Sequence, residues 1–119
     1  FIIFPEGTTS DGNGIKQFKS SMLECAFDEK NLIHIQPISI CYSRKNNVPM
    51  GLFLRRHISW VGDTSMVDAM INFLSSGPVT VELVFHNELN ASNFNNRKDL
   101  TYYCENQILQ GINQTLKIS

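Results

Sequence analysis

Between Pro5 and Lys19 the chain collects a carboxylate, several hydroxyls and two ammonium groups: Glu6, Gly7, Thr8, Thr9 and Ser10, then Asp11-Gly12-Asn13-Gly14, then Lys16 and Lys19. A Gly- and Thr-rich turn leading into a helix offers backbone N–H groups, hydroxyl donors and the positive end of a helix dipole, all suited to a phosphate or another anion. Lys16 and Lys19, three apart on a helix expected over residues 15–27, would turn both ammonium groups toward that anion. Glu6 does not belong in a purely anionic cradle. Its carboxylate suits a polyol hydroxyl, or the loop's own N–H groups. The ligand this chemistry describes carries a phosphate and hydroxyls; an ordinary strand-to-helix turn is the alternative reading of the same residues. No Gly-Lys-Ser/Thr follows, so this is not a nucleotide-binding P-loop. A calcium loop fails as well, because Ile15 stands at a ligand position and Gly14 comes too early.

Around this loop the pattern predicts alternating strands and helices. Phe1-Ile2-Ile3-Phe4 reads as a buried strand stopped by Pro5. Ile15, Phe18, Met22, Cys25 and Ala26 share a helical face over residues 15–27. Residues 32–42 read as a strand broken at Pro37, residues 52–60 as a second strand, and residues 64–74 as a helix with Met66, Val67, Met70, Ile71 and Leu74 inward. Val79, Val81, Leu83 and Phe85 alternate with Thr80 and Glu82 in the clearest strand. Residues 97–116 have the length and composition of a terminal helix. The expectation is one α/β domain, a mixed, largely parallel sheet flanked by helices, with the Pro5–Gly14 loop at the sheet edge where ligands bind.

Composition narrows the function further. The 119 residues are 42% hydrophobic and 18% charged, with a net charge of -1, which describes a globular domain and not a disordered chain. Arg55-Arg56 and Arg97-Lys98 are isolated, solvated pairs, and no basic stripe marks a nucleic-acid surface. Three cysteines without CxxC spacing argue against a disulfide framework and a zinc site. No apolar run approaches the ~20 residues of a membrane helix. A first residue in mid-strand, without Met, is expected of a piece of a longer protein.

Phe4-Pro5-Glu6-Gly7-Thr8, then Phe18-Lys19, then Ile35-Gln36-Pro37-Ile38-Ser39-Ile40 resembles the lysophospholipid acyltransferase family. Trp60-Val61-Gly62-Asp63, Val81-Glu82-Leu83 and Asn96-Arg97-Lys98-Asp99-Leu100 are similar to a bacterial subgroup of it. The resemblance implies transfer of a fatty acyl group from acyl-CoA or acyl carrier protein to the free hydroxyl of a lysophospholipid such as 1-acyl-glycerol-3-phosphate, on a membrane surface, with no cofactor beyond the acyl donor. It places Glu6, Gly7 and Thr8 at the glycerol phosphate of the acceptor and Pro37 in a block linked to the donor or acceptor pocket. Thr9 stands where the family often has Arg; Lys16 and Lys19 are added from charge and spacing. The family's catalytic block, a His and an Asp separated by four residues, is expected upstream of Phe1, so no catalytic residue is assigned in this chain. In that block the His takes the proton of the attacking hydroxyl. His57 and Asp63 have five residues between them and follow the wrong block. His34 reads as a core or edge residue, and His86 ends a strand without an Asp at useful spacing. A phosphate- or lipid-binding module without catalysis is the alternative function.

Overall fold

The computed structural model describes residues 1–27 and 33–118. A 3-10 helix (Ser20–Phe27) leads to β1 (His34–Ile35), β2 (Ile38–Lys45) and β3 (Val48–Pro49). Two helices follow, α1 (Leu52–Ile58) and α2 (Met66–Ser75), then β4 (Val79–Phe85), β5 (Leu89–Asn90), a 3-10 turn (Ala91–Asn93) and the long α3 (Arg97–Ile118). Pro37 separates β1 from β2, as its missing N–H requires.

The sheets correct the expectation of a largely parallel arrangement. Among the described residues every strand pair is antiparallel: β3-β2-β4 in one sheet and β1-β5 in the other. The reason lies in Asn46 and Asn47, both left-handed (φ 51° and 63°), which close a two-residue hairpin between β2 and β3. That hairpin reverses the chain before α1 and α2 carry it over to β4. The helical crossover therefore joins β3 to β4, which run parallel to each other with β2 between them. Lys45 to Ile38 pair with Val79 to Phe85, with a bulge between Tyr42 and Arg44.

The core is shared by the 3-10 helix and α3, and gathers Phe18, Leu23, Ala26, Ala91, Leu100 and Cys104. Asn96 starts α3: its Oδ1 accepts the Asp99 N–H at 3.0 Å while its Nδ2 donates to the Asp99 carboxylate at 3.1 Å, a reciprocal cap. β2 lays Ser39, Cys41 and Ser43, all buried, on the face toward α3.

Four further expectations are corrected. Residues 52–58 are helical, not extended. Residues 15–19 are not helical, and the 3-10 helix begins only at Ser20. Phe1–Phe4 is exposed and belongs to no sheet among the described residues. The apolar stripe of α2 and the outer face of β4 are exposed too, Leu74 at 73% and Phe85 at 60%. The alternation in β4 is therefore real, but its apolar face is not covered within these residues. Leu32, placed in a strand by the pattern, lies outside the described residues.

Candidate functional site

The loop is assembled from two tight turns and four bonds between residues ten or more positions apart. Phe4-Pro5-Glu6-Gly7 closes by a Gly7 N–H to Phe4 carbonyl bond of 3.0 Å, with Pro5 pre-set for the turn and Gly7 at φ 64°. Lys19 N–H donates to the Pro5 carbonyl at 2.8 Å, and Lys16 N–H donates to Glu6 Oε2 at 2.8 Å. Both bonds fold the segment after the loop back onto its start. Gly7 leaves room for the Lys19 side chain: a Cβ there would stand 3.0 Å from the Lys19 Nζ.

Gly7 and the Lys19 side chain thus approach one another, and Glu6 meets the Lys16 backbone, by a route other than the expected helix. A helix would bring Lys16 and Lys19 together by their spacing; instead a return that is neither helix nor strand brings the Lys19 side chain against Gly7. What ties Lys16 to the loop is its backbone N–H, so the expectation that its ammonium shares the site through helical spacing is corrected. The loop also lacks the helix N-terminus that the anion argument invoked, since the helical residues start at Ser20. Thr8 and Thr9 are exposed on the outer side of the turn.

The far end of the loop rests on α1. Asp11 Oδ1 accepts the Asn13 N–H at 3.1 Å, and this bond first, with the Asn13 side chain, lowers the Asp11 carboxyl below its ordinary value. Asn13 in turn bridges to α1: Nδ2 donates to the Leu52 carbonyl at 3.0 Å, and Oδ1 accepts from Arg55 Nε at 3.0 Å. Arg55 is only 6% exposed and also donates from Nη1 to the Met50 carbonyl at 2.9 Å, which corrects its reading as a solvated residue. Gly12, at φ 73°, lies so close to α1 that a Cβ would meet Ser59 Oγ at 2.8 Å. Asn13 and Arg55 were not singled out by spacing. The available signal was Arg55 and Ile58, one helical turn apart and both buried, within a segment whose Phe, Leu and Ile suit a strand equally.

Pro37 is buried in the link between β1 and β2, and its carbonyl accepts the His86 N–H at 3.0 Å, at the sheet end rather than at the loop. An open cleft of about 360 Å³ between α1 and α2 is lined by Phe53, Arg56, His57, Ser59, Thr64 and Asn72, none of them a residue expected at the site.

The histidines divide by environment. His34 is an edge residue 3.2 Å from Glu88. His57 is exposed and stacks on Phe53, ring centroids 6.5 Å apart, and among the described residues no ion pair joins it to Asp63. His86 Nε2 lies 2.8 Å from Ser39 Oγ. This pair has the atoms of a nucleophile and its base, but the wiring of a brace. Ser39 is fully buried and its hydroxyl proton goes to the Ile108 carbonyl at 2.8 Å, so it must accept from an Nε2–H of His86. A base that donates to the hydroxyl cannot deprotonate it.

The sequence is similar to those of known proteins. The chain is 29% identical over 121 residues to a lyso-ornithine lipid O-acyltransferase of Rhizobium meliloti, which covers 98% of this chain and 41% of the relative. The enzyme of that name from Brucella abortus is 31% identical over 112 residues, 90% of this chain and 42% of the relative. These similarities support an acyltransferase family of the lysophospholipid type. It spans about two fifths of the length of the curated relatives it matches. No family model matches it, and no solved structure shows a significant match. In this chain, the Pro-Glu-Gly-Thr turn points Glu6 into the loop and leaves Thr8 and Thr9 at the surface.

Proposed function

We propose that this chain forms the acceptor-binding part of an O-acyltransferase that moves a fatty acyl group from acyl-CoA or acyl carrier protein to the free hydroxyl of a lysolipid. The observation that carries this reading is that one turn carries both Glu6, whose Oε2 accepts the Lys16 N–H, and Gly7, against which the Lys19 side chain lies. Lys19 Nζ takes the anionic group of the acceptor headgroup. Glu6, with Oε2 engaged by Lys16 N–H, offers Oε1 to a hydroxyl or an ammonium, and the surface hydroxyls of Thr8 and Thr9 add donors. Thr9 in place of an Arg leaves Lys19 to carry the anion contact.

A carboxylate and an ammonium carried on one turn suit a headgroup that bears both charges. This favours the acceptor named for the relatives, a lyso-ornithine lipid, over 1-acyl-glycerol-3-phosphate, which remains the second reading on the strength of the Pro-Glu-Gly-Thr turn. Pro37 shapes the sheet end through its bond to His86, and a direct part in the donor or acceptor pocket stays with the resemblance alone. The general base lies outside these residues, so this stretch binds and does not catalyse. The acceptor is a lipid, so the protein works at a membrane surface, although no helix among the described residues is long and apolar enough to cross one.

The test is steady-state kinetics of the full-length protein with each acceptor in detergent micelles. Glu6→Ala should raise the acceptor KM by about ten-fold, the effect of one hydrogen bond to a charged group, with kcat nearly kept. Lys19→Ala should do the same, and the wild type should prefer lyso-ornithine lipid. Unchanged acceptor constants in both variants would remove the loop from acceptor binding.

A further inference from the structure

The loop carries its ligand groups on one end and is fastened at the other, and the fastening is unusual. Arg55 is a buried cation, and among the described residues no carboxylate lies within ion-pair distance of it. Burying a charge without a counter-ion is unfavourable unless its donors are met with good geometry. Here they are met by neutral oxygens, Asn13 Oδ1 at 3.0 Å and the Met50 carbonyl at 2.9 Å. If Arg55 served only to fill space on α1, an apolar residue would do so without that desolvation. What the guanidinium adds is a rigid two-pronged grip, one prong on its own helix entrance and the other on the loop.

We infer that Arg55 is a positioning residue for acceptor binding: it holds Asn13, and through Asn13 it sets the conformation of the segment from Ser10 to Lys16, whose last N–H aligns the Glu6 carboxylate. Four observations form the chain. Asn13 is gripped from both sides of its amide by α1, through the Leu52 carbonyl and Arg55 Nε. Asn13 N–H is fixed to Asp11, which closes the turn. Gly12 sits against Ser59, whose hydroxyl donates to the Arg55 carbonyl at 2.7 Å, so loop and helix also meet in close packing. Three residues beyond Asn13, Lys16 N–H reaches Glu6 Oε2. Displacement of Asn13 therefore shifts the donor that orients Glu6, without touching Glu6 itself. The inference rests on the reading of the loop as the acceptor site.

The experiment is acceptor and donor kinetics of the full-length protein with lyso-ornithine lipid, for Arg55→Met, Arg55→Lys, Asn13→Ala and the Arg55→Met/Asn13→Ala pair, with Glu6→Ala as reference and a thermal melt of each. Positioning predicts that Asn13→Ala and Arg55→Met each raise the acceptor KM by about five- to ten-fold, with kcat and the donor KM within about two-fold. The pair should be no worse than the worse single variant, because both break the same link. Arg55→Lys should recover part of the loss, since an ammonium can reach one acceptor but not both. A purely structural role predicts a lower melting temperature and less active protein at unchanged KM, and that result would overturn the inference. Should Arg55→Met not fold, Asn13→Ala, a part-exposed loop substitution, decides alone. If Glu6→Ala raises the acceptor KM and Asn13→Ala does not, the latch is wrong and the site stands. If Glu6→Ala is silent, the latch falls, because it acts through Glu6; if Lys19→Ala is silent as well, the site reading falls with it.

Discussion

Replacing Gly111 by Ala should destabilise the protein, although it exchanges the poorest ordinary helix former for the best. Position 111 lies inside α3, where Ala in place of Gly is worth about 1 kcal/mol of helix stability. Against that, a Cβ built at Gly111 would collide with Ser39 Oγ and stand 2.7 Å from His86 Nε2. Ser39 is fully buried, and its hydroxyl bonds both His86 and the Ile108 carbonyl at 2.8 Å. Either α3 moves off β2, opening the contact on both sides, or the hydroxyl turns away and leaves two buried groups unpaired. Overpacking costs about 1–3 kcal/mol and each orphaned buried group about 1–3 kcal/mol. After the helix gain is subtracted, the first route leaves a net loss of up to about 2 kcal/mol and the second about 1–5 kcal/mol. Urea unfolding followed by circular dichroism reads this as a lower midpoint at unchanged slope. Adding Ser39→Ala to Gly111→Ala should recover part of the loss, because it removes the atom in collision. A midpoint equal to or above wild type in Gly111→Ala would show that α3 does not ride closely on β2, and would refute the packing argument.

The His86 brace predicts a pH dependence. Burial lowers the His86 pKa from its ordinary 6.5, so the unfolded chain takes up the proton more readily than the folded one. Stability should be full above about pH 6.5, fall as the pH drops through that value toward the folded pKa, and level off below it. The difference between wild type and His86→Gln in urea midpoints from pH 7.5 to 5 checks this; a constant difference would remove His86 as the cause. Alkylation should separate the cysteines. Cys25 is exposed and should react first with iodoacetamide, whereas Cys41 and Cys104 are buried and burial raises both thiols, Cys104 to about 11. Mass spectrometry of the native protein should find Cys25 alone modified at early times, and equal labelling of Cys104 would contradict its place in the core. Cys41→Ala should leave the acceptor KM unchanged while lowering stability by about 1 kcal/mol, one small buried side chain.

Local chemistry was legible wherever neighbours in sequence decide the outcome. The alternation at Val79–Phe85, the break at Pro37, the helix at Met66–Ser75 and the long helix from Arg97 all appear where the pattern placed them. The turn residues around Gly7 and Gly12 announced a loop with left-handed positions, and both glycines have positive φ. The resemblance carried by the Pro5–Thr8 motif and the Pro37 block also agrees with the curated relatives, which are lyso-ornithine lipid O-acyltransferases. The failures concern partners. Residues 52–58 suit strand and helix alike, and burial of Arg55 and Ile58 on one helical face decided for the helix. The sheet is antiparallel because two asparagines in a tight hairpin reverse the chain, which the alternation of strands and helices does not reveal.

At the site the division is the same. That Glu6, Thr8, Thr9 and a lysine bring charge and hydroxyl groups to this stretch could be read from residue types, since that chemistry belongs to each side chain wherever it stands. How they are held could not. Asn13 and Arg55 are 42 residues apart, and Ser39 and His86 are 47 apart. Turn preferences and periodicities are interactions among residues a few positions apart, so they leave a mark in the order of the letters. A bond across forty residues exists only once packing has brought the two ends together, and its members carry no mark until then.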